Sequence, residues 1–306
     1  MKIYHSFNEL VGHTPILQVH QIEKEKELKS HLFVKIESYN PAGSIKDRVA
    51  RQIILDALKS GKIKEGATII EATSGNTGIG LCAVGATMGF NVIIIMPDTM
   101  SKERITLMKA YGAKVILTPG ALGMQGCLDK ANELASTIEN SFIAGQFENM
   151  SNPLTHYLYT GKEIDEAMDG NIDMLVCGIG TGGTISGLSK YLKERHPDIK
   201  IIGVEPYDSP LLTKGYAASH KIQGIGANFV PQTLDLNAYD ELYTIKTEEA
   251  YEACRLLARK EGILSGISSG GALYVGMELA KKYEGLNIVV ILPDGGDRYL
   301  STDLYE

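Results

Sequence analysis

No apolar run in this chain approaches the roughly twenty residues that a bilayer-spanning helix needs. The longest, such as NVIIIMP at 91–97 and NIVVILP at 287–293, are the size of strands, so no transmembrane segment is expected. Cysteine is scarce: four residues, at 82, 127, 177 and 254, with no C-x-x-C pair and no histidine cluster beside them. The seven histidines are equally dispersed. Such spacing offers neither a disulfide framework nor a metal-ligand set, so buried thiols and no metal are expected. Positive charge is not in surplus either, with 30 Lys and Arg against 37 Asp and Glu. A net charge of −7 argues against non-specific nucleic-acid binding. Repeats, low-complexity tracts and long linkers are absent. The opening MKIYHSFNELVG lacks the apolar stretch of a secretory signal, which predicts a cytoplasmic location. The densest charge run, EKEKELK at 23–29, reads as a solvated loop or turn.

Strand-like and helix-like runs alternate along most of the length, with KVILTPG at 114–120 and KIIGVEP at 200–206 beside the two runs above. Repeated βα alternation predicts parallel sheets covered by helices. A chain of 306 residues, 44% of them hydrophobic, is long enough for about two domains with real cores.

Chemistry starts at NPAGSIKDR, residues 40–48. Pro41, Ala42, Gly43 and Ser44 favour a turn, and the following residues place Val49, Ile53, Ala57 and Leu58 at helical spacing. Lys46 therefore falls at a helix start, where a cation opposes the macrodipole. Combined with burial, that mismatch lowers an amine pKa, and only a neutral amine attacks a carbonyl. A lone lysine is ordinarily a solvated surface residue. Three further loops give this one its context.

In the first, an apolar strand ending at Ile70 breaks into TSGNTG at 73–78 and resumes as a helix. Hydroxyls of Thr73, Ser74 and Thr77, the Asn76 amide and several backbone N–H groups there suit a carboxylate or phenolate oxygen. Ordinary helix capping explains Ser and Thr at such a place equally well. In the second, the strand DMLVC runs into GIGTGGT, where Gly180, Thr181, Gly182, Gly183 and Thr184 can present N–H groups to a phosphate. Gly178, Gly180 and Gly183 also satisfy G-x-G-x-x-G, and Glu205 lies where a ribose-binding acid would be, so a dinucleotide site competes. That motif normally occupies the first βα turn of its domain, and it leaves Lys46 and the 73–78 loop without a role. In the third, Ser268 and Ser269 are placed in a tight loop before a helix, where a hydroxyl could meet a ring nitrogen or merely cap the helix. A lysine, an oxygen-binding loop, a glycine phosphate cup and a late serine together match the handles of pyridoxal 5′-phosphate.

These motifs, with VGHTPIL at 11–17, TPGALGMQG at 118–126, QFEN at 146–149, IQGIGANFVP at 222–231 and LPDGGDRYLST at 292–302, resemble the cysteine synthase (O-acetylserine sulfhydrylase) family of fold-type II pyridoxal-phosphate enzymes. The resemblance implies an α/β fold like that of the tryptophan synthase β subunit, with two domains, each a mostly parallel twisted sheet flanked by helices. The smaller would cover residues 39–150 and the larger residues 1–38 and 151–306. It implies that Lys46 carries the internal aldimine, that Asn76 touches the ring hydroxyl, and that Gly180, Thr181, Gly182, Gly183 and Thr184 hold the phosphate. Ser268 would face the ring nitrogen, leaving it largely unprotonated. Thr73, Ser74, Gly75, Asn76, Thr77 and Gln146 would grip the substrate carboxylate. The implied reaction is β-replacement on O-acetyl-L-serine by sulfide, giving L-cysteine and acetate through an α-aminoacrylate, with Lys46 as base and ping-pong kinetics. An O-acetylserine-dependent cystathionine β-synthase using homocysteine is the alternative. A homodimer, and binding of the C-terminal tail of serine acetyltransferase, are implied as well. Ala72, Gly145, Met150 and Ser151 depart from the family's usual strings without removing any of these polar groups.

Overall fold

The computed structural model describes residues 3–306. In chain order the strands are β1 (Ile16–Gln18), β2 (His31–Ile36), β3 (Thr68–Ala72), β4 (Asn91–Pro97), β5 (Lys114–Thr118), β6 (Ser141–Ile143), β7 (Met174–Gly178), β8 (Lys200–Pro206), β9 (Glu241–Ile245) and β10 (Asn287–Leu292). The helices are α1 (His20–Glu25), α2 (Lys46–Lys59), α3 (Asn76–Thr87), α4 (Lys102–Ala110), α5 (Gly123–Thr137), α6 (Ser151–Thr155), α7 (Gly161–Ala167), α8 (Gly183–Lys193), α9 (Leu211–Lys214), α10 (Thr247–Glu261) and α11 (Ile267–Lys282). The chain divides into two compact units, one formed by residues 3–11 and Asn40–Asn152, the other by Gly12–Tyr39 and Pro153–Glu306.

The first unit holds a four-stranded sheet in the order β5-β4-β3-β6, parallel throughout. Strand β4 shows why its sequence is apolar without alternation. Val92, Ile94 and Met96 face a core shared with α2, α3 and Met108 of α4, whereas Ile93 and Ile95 face Cys127 and Ala131 of α5. Both faces of a parallel strand are covered, so both must be apolar. Helix α2 turns Val49, Ile53 and Ala57 into that core, and Leu58 packs against it partly buried. Residues 3–11, which the family resemblance placed in the larger domain, pack with this unit. Phe7 lies against its core, and Arg51 of α2 donates to the carbonyls of Asn8 and Val11 at 3.0 Å each.

The second unit holds a six-stranded sheet in the order β1-β2-β10-β7-β8-β9, with β1 antiparallel to β2 and every other pair parallel. Helix α11 lies close on this sheet because Gly276 has no side chain; a Cβ there would meet Val290 Cγ2 at 2.5 Å. Lys35 of β2, 1% exposed, pairs with Glu163 of α7 at 2.7 Å and donates to the Thr14 carbonyl. Among the described residues no helix is long and apolar enough to cross a membrane.

Two expectations need correction. The charge run at 23–29 is not all loop: residues 23–25 end α1, anchored by fully buried Ile22, and the Glu23 carboxylate accepts the Leu32 N–H at 2.7 Å. Strand β3 runs two residues past Ile70, to Ala72, because Glu71 and Ala72 continue the pairing with Ile94 and Ile95. All four cysteines are free and buried, and burial pushes the Cys82 and Cys254 thiols up to about 12, which leaves them inert.

Candidate active site

In the first unit the chain reaches Lys46 through a turn closed by the Gly43 N–H on the Asn40 carbonyl at 2.8 Å, with Gly43 at φ +84°. The buried Asp47 carboxylate takes the Ala42 N–H at 2.7 Å, which locks the turn onto the first residues of α2. Lys46 is the first residue of that helix and is half-buried. Helix α3 approaches it through Gly80, where a Cβ would lie 2.9 Å from the Lys46 carbonyl oxygen. Asn76 precedes Gly80 by four residues and so shares its face of α3, toward the start of α2.

The loop 73–77 is built around one amide. Gln146 donates from Nε2 to Thr73 Oγ1 at 3.3 Å and accepts from Thr77 Oγ1 at 2.5 Å. The Gly75 N–H also bonds Thr73 Oγ1, at 3.2 Å, and Arg104 of α4 donates to the Ser74 carbonyl at 3.1 Å. Thr73 and Thr77 are buried, whereas Ser74, Gly75 and Asn76 are half-buried. Thr73, Ser74, Gly75, Asn76, Thr77 and Gln146 are thus brought together, with Lys46 on the adjoining helix.

In the second unit Gly180, Thr181, Gly182, Gly183 and Thr184 occupy the turn from β7 into the first residues of α8. Gly182 is left-handed at φ +79°, and the Thr233 hydroxyl donates to the Thr181 carbonyl at 2.6 Å. Thr184 pairs through Oγ1 with His156 Nε2 at 3.3 Å, and His156 Nδ1 pairs with Thr160 Oγ1 at 3.0 Å. His156–Thr160 form a π turn leading into α7. Ser268 lies in the first turn of α11, not in a loop before it, and faces Gly224, where a Cβ would come within 3.1 Å of its Oγ. A Cβ on Gly180 would collide with the Gly224 carbonyl, so the 222–226 segment, the 180–184 turn and Ser268 are close neighbours. Ser268 is 3% exposed.

Glu205, the acid that mimicked a ribose ligand, is committed elsewhere. Its carboxylate accepts the N–H groups of Leu212 and Thr213 at 2.9 Å and the Thr213 hydroxyl at 2.5 Å, so it caps α9.

A family model described as "Pyridoxal-phosphate dependent enzyme" matches residues 7–294. The chain belongs to that family. It is 47% identical to cysteine synthase B of Campylobacter jejuni over all of both chains, and 45% identical to a cysteine synthase of Staphylococcus aureus over 98% of this chain and 96% of the other. Its fold superposes on the crystal structure of the Entamoeba histolytica cysteine synthase with a TM-score of 0.96, at 43% identity, covering 99% of this chain and 91% of that one. As a member of the pyridoxal-phosphate dependent enzymes it uses pyridoxal phosphate, and the residues present fit that group. A helix-start turn in which a Cβ on Gly180 or Gly182 would collide with its surroundings suits close approach of a phosphate, and a buried serine hydroxyl at the start of α11 suits a ring nitrogen.

No motif or spacing marks Glu71. It is 3% exposed at the end of β3, takes the Gly145 N–H at 2.7 Å and the Gln146 N–H at 3.4 Å, and burial pushes its carboxyl up to about 7. His156 and Gly224 were missed as well; GxGxxG and Ser-Ser draw attention to the loops, not to the residues that press on them.

Proposed function

We propose that this protein is a cysteine synthase, which replaces the β-acetoxy group of O-acetyl-L-serine by sulfide to give L-cysteine and acetate. The observation that supports it most is the loop 73–77 closed by Gln146, a set of hydroxyl, amide and N–H donors at the start of α3, beside the helix that begins with Lys46. In this reading Thr73, Ser74, Gly75, Asn76, Thr77 and Gln146 hold the substrate carboxylate. Gly180, Thr181, Gly182, Gly183 and Thr184 hold the phosphate, Asn76 meets the ring hydroxyl, Ser268 meets the ring nitrogen, and Lys46 carries the covalent attachment. Bound pyridoxal phosphate supplies an electron sink for negative charge at the substrate Cα. The freed Lys46 amine takes the proton from Cα and later returns it there. Ser268, a neutral donor or acceptor, leaves that sink milder than a buried carboxylate would, which suits elimination at Cβ.

The decisive experiment adds O-acetylserine to the purified holoenzyme, then sulfide or homocysteine, while following visible absorption and product. The expected result is a spectral change with O-acetylserine alone, reversed by sulfide with stoichiometric cysteine. Cystathionine from homocysteine without cysteine from sulfide would sink the assignment. Borohydride reduction followed by intact-mass measurement tests Lys46: the wild type gains the cofactor's mass and Lys46→Ala does not. Four free buried thiols suit a reducing cytoplasm. Homodimer formation and capture of the serine acetyltransferase tail rest on the family resemblance; sedimentation velocity checks the first, and competition of a tail decapeptide with O-acetylserine the second.

A further inference from the structure

Strand β6 ends at Ile143, and the Ala144 N–H makes one more ladder bond, to the Ile70 carbonyl at 2.9 Å. Gly145, at φ +64°, then swings the chain out of the sheet, and its N–H has lost the neighbouring strand as a partner. The Glu71 carboxylate takes it at 2.7 Å, and the Gln146 N–H follows at 3.4 Å. On the other side of the same peptide, Asn152 Nδ2 donates to the Gln146 carbonyl at 2.8 Å. The Gln146 backbone is held at both its N–H and its C=O, and from it the side-chain amide reaches Thr73 and Thr77.

We propose that Glu71 is a positioning residue for the substrate-carboxylate loop, acting through the backbone of Gly145 and Gln146 to aim the Gln146 amide. This rests on the reading of residues 73–77 as the carboxylate site. A buried acid at this place is otherwise costly, and an apolar side chain would satisfy the β3–β4 packing without it. Two converging N–H donors require an acceptor on each oxygen, which a carboxylate has and an amide has not. Glu71→Gln keeps the shape and must turn its NH2 toward one of the two donors.

The test is a double-mutant cycle on the holoenzyme, reading KM for O-acetylserine separately from turnover at saturation and from thermal midpoint. Glu71→Gln is expected to raise KM about tenfold with little change in turnover, the scale of one lost buried hydrogen bond in the loop. Gln146→Ala should raise KM at least as much. In the Gln146→Ala background the Glu71 substitution should add no more than about twofold, because both remove the same contact. Wild-type KM in Glu71→Gln, or effects that multiply to about a hundredfold, would overturn the inference. A Gln146→Ala enzyme with unchanged KM would instead refute the carboxylate site itself, and the inference would fall with it. Should Glu71→Gln not fold, Glu71→Asp retracts the same charge by one methylene and carries the same expectation.

Discussion

Replacing Glu71 by glutamine also predicts a change in how stability depends on pH. In the unfolded chain this carboxyl titrates near its ordinary 4.5; in the fold, burial is the largest cause of its rise to about 7, and the nearby charge of Glu148 pushes the same way. The N–H groups of Gly145 and Gln146 oppose the rise without cancelling it. The folded protein therefore holds this proton more tightly than the unfolded one. The resulting stabilisation is complete below pH 4.5, declines as pH rises, and is gone above about 7. The distance between those two values corresponds to about 3 kcal/mol. Glutamine does not titrate, so the stability of the wild type minus that of Glu71→Gln should fall by about that amount across the interval and stay level above it. Urea unfolding of both holoenzymes at matched ionic strength, at intervals of half a pH unit, measures the difference while the other acids cancel. A difference that is flat, or that rises with pH, would refute the burial account of Glu71.

Glu163→Ala should destabilise the protein by about 3 kcal/mol or more, because it strands the buried Lys35 ammonium, and Lys35→Met in the same chain should recover much of that loss; urea midpoints check both. Gly80→Ala would place a methyl 2.9 Å from the Lys46 carbonyl oxygen, displacing the start of α2 at a cost of about 2 kcal/mol. Its turnover should fall more than its thermal midpoint suggests. Gly182→Ala forces a side chain into a left-handed backbone and against Leu234, together about 3 kcal/mol. Cofactor remaining after dialysis should drop in this variant while Gly61→Ala, at a left-handed position with open space, should retain it.

The sheets were legible because parallel strands covered on both faces need no alternation, as Val92 to Met96 show. The loop at 73–77 was legible because it concentrates donors at a helix start. Glu71 was not: an acid after Ile70 reads as the end of a strand, and its partners at 145 and 146 are 74 and 75 residues away. Ser-Ser-Gly-Gly at 268–271 has poor helix propensity and reads as a loop. Packing overrides it, since Gly270 of α11 presses on the Ala250 carbonyl and Cys254 of α10, where any larger residue would collide. Glu205 shows the opposite failure, a correctly spaced acid whose oxygens the backbone of 212 and 213 had already taken.

The π turn at His156–Thr160 has a consequence for how this protein can vary. A π turn carries one residue more than the α-helix around it, and each residue of an α-helix advances the phase by about 100°. Exchanging the exposed Leu158 or Tyr159 leaves that phase untouched. Deleting either would take out that extra residue and let the stretch close into regular α-helix, with His156 and Ile164 keeping their phase. The spacing of this stretch is therefore what can change, whereas His156 and Thr160, whose side chains bond Thr184 and each other, support the 180–184 turn by their chemistry.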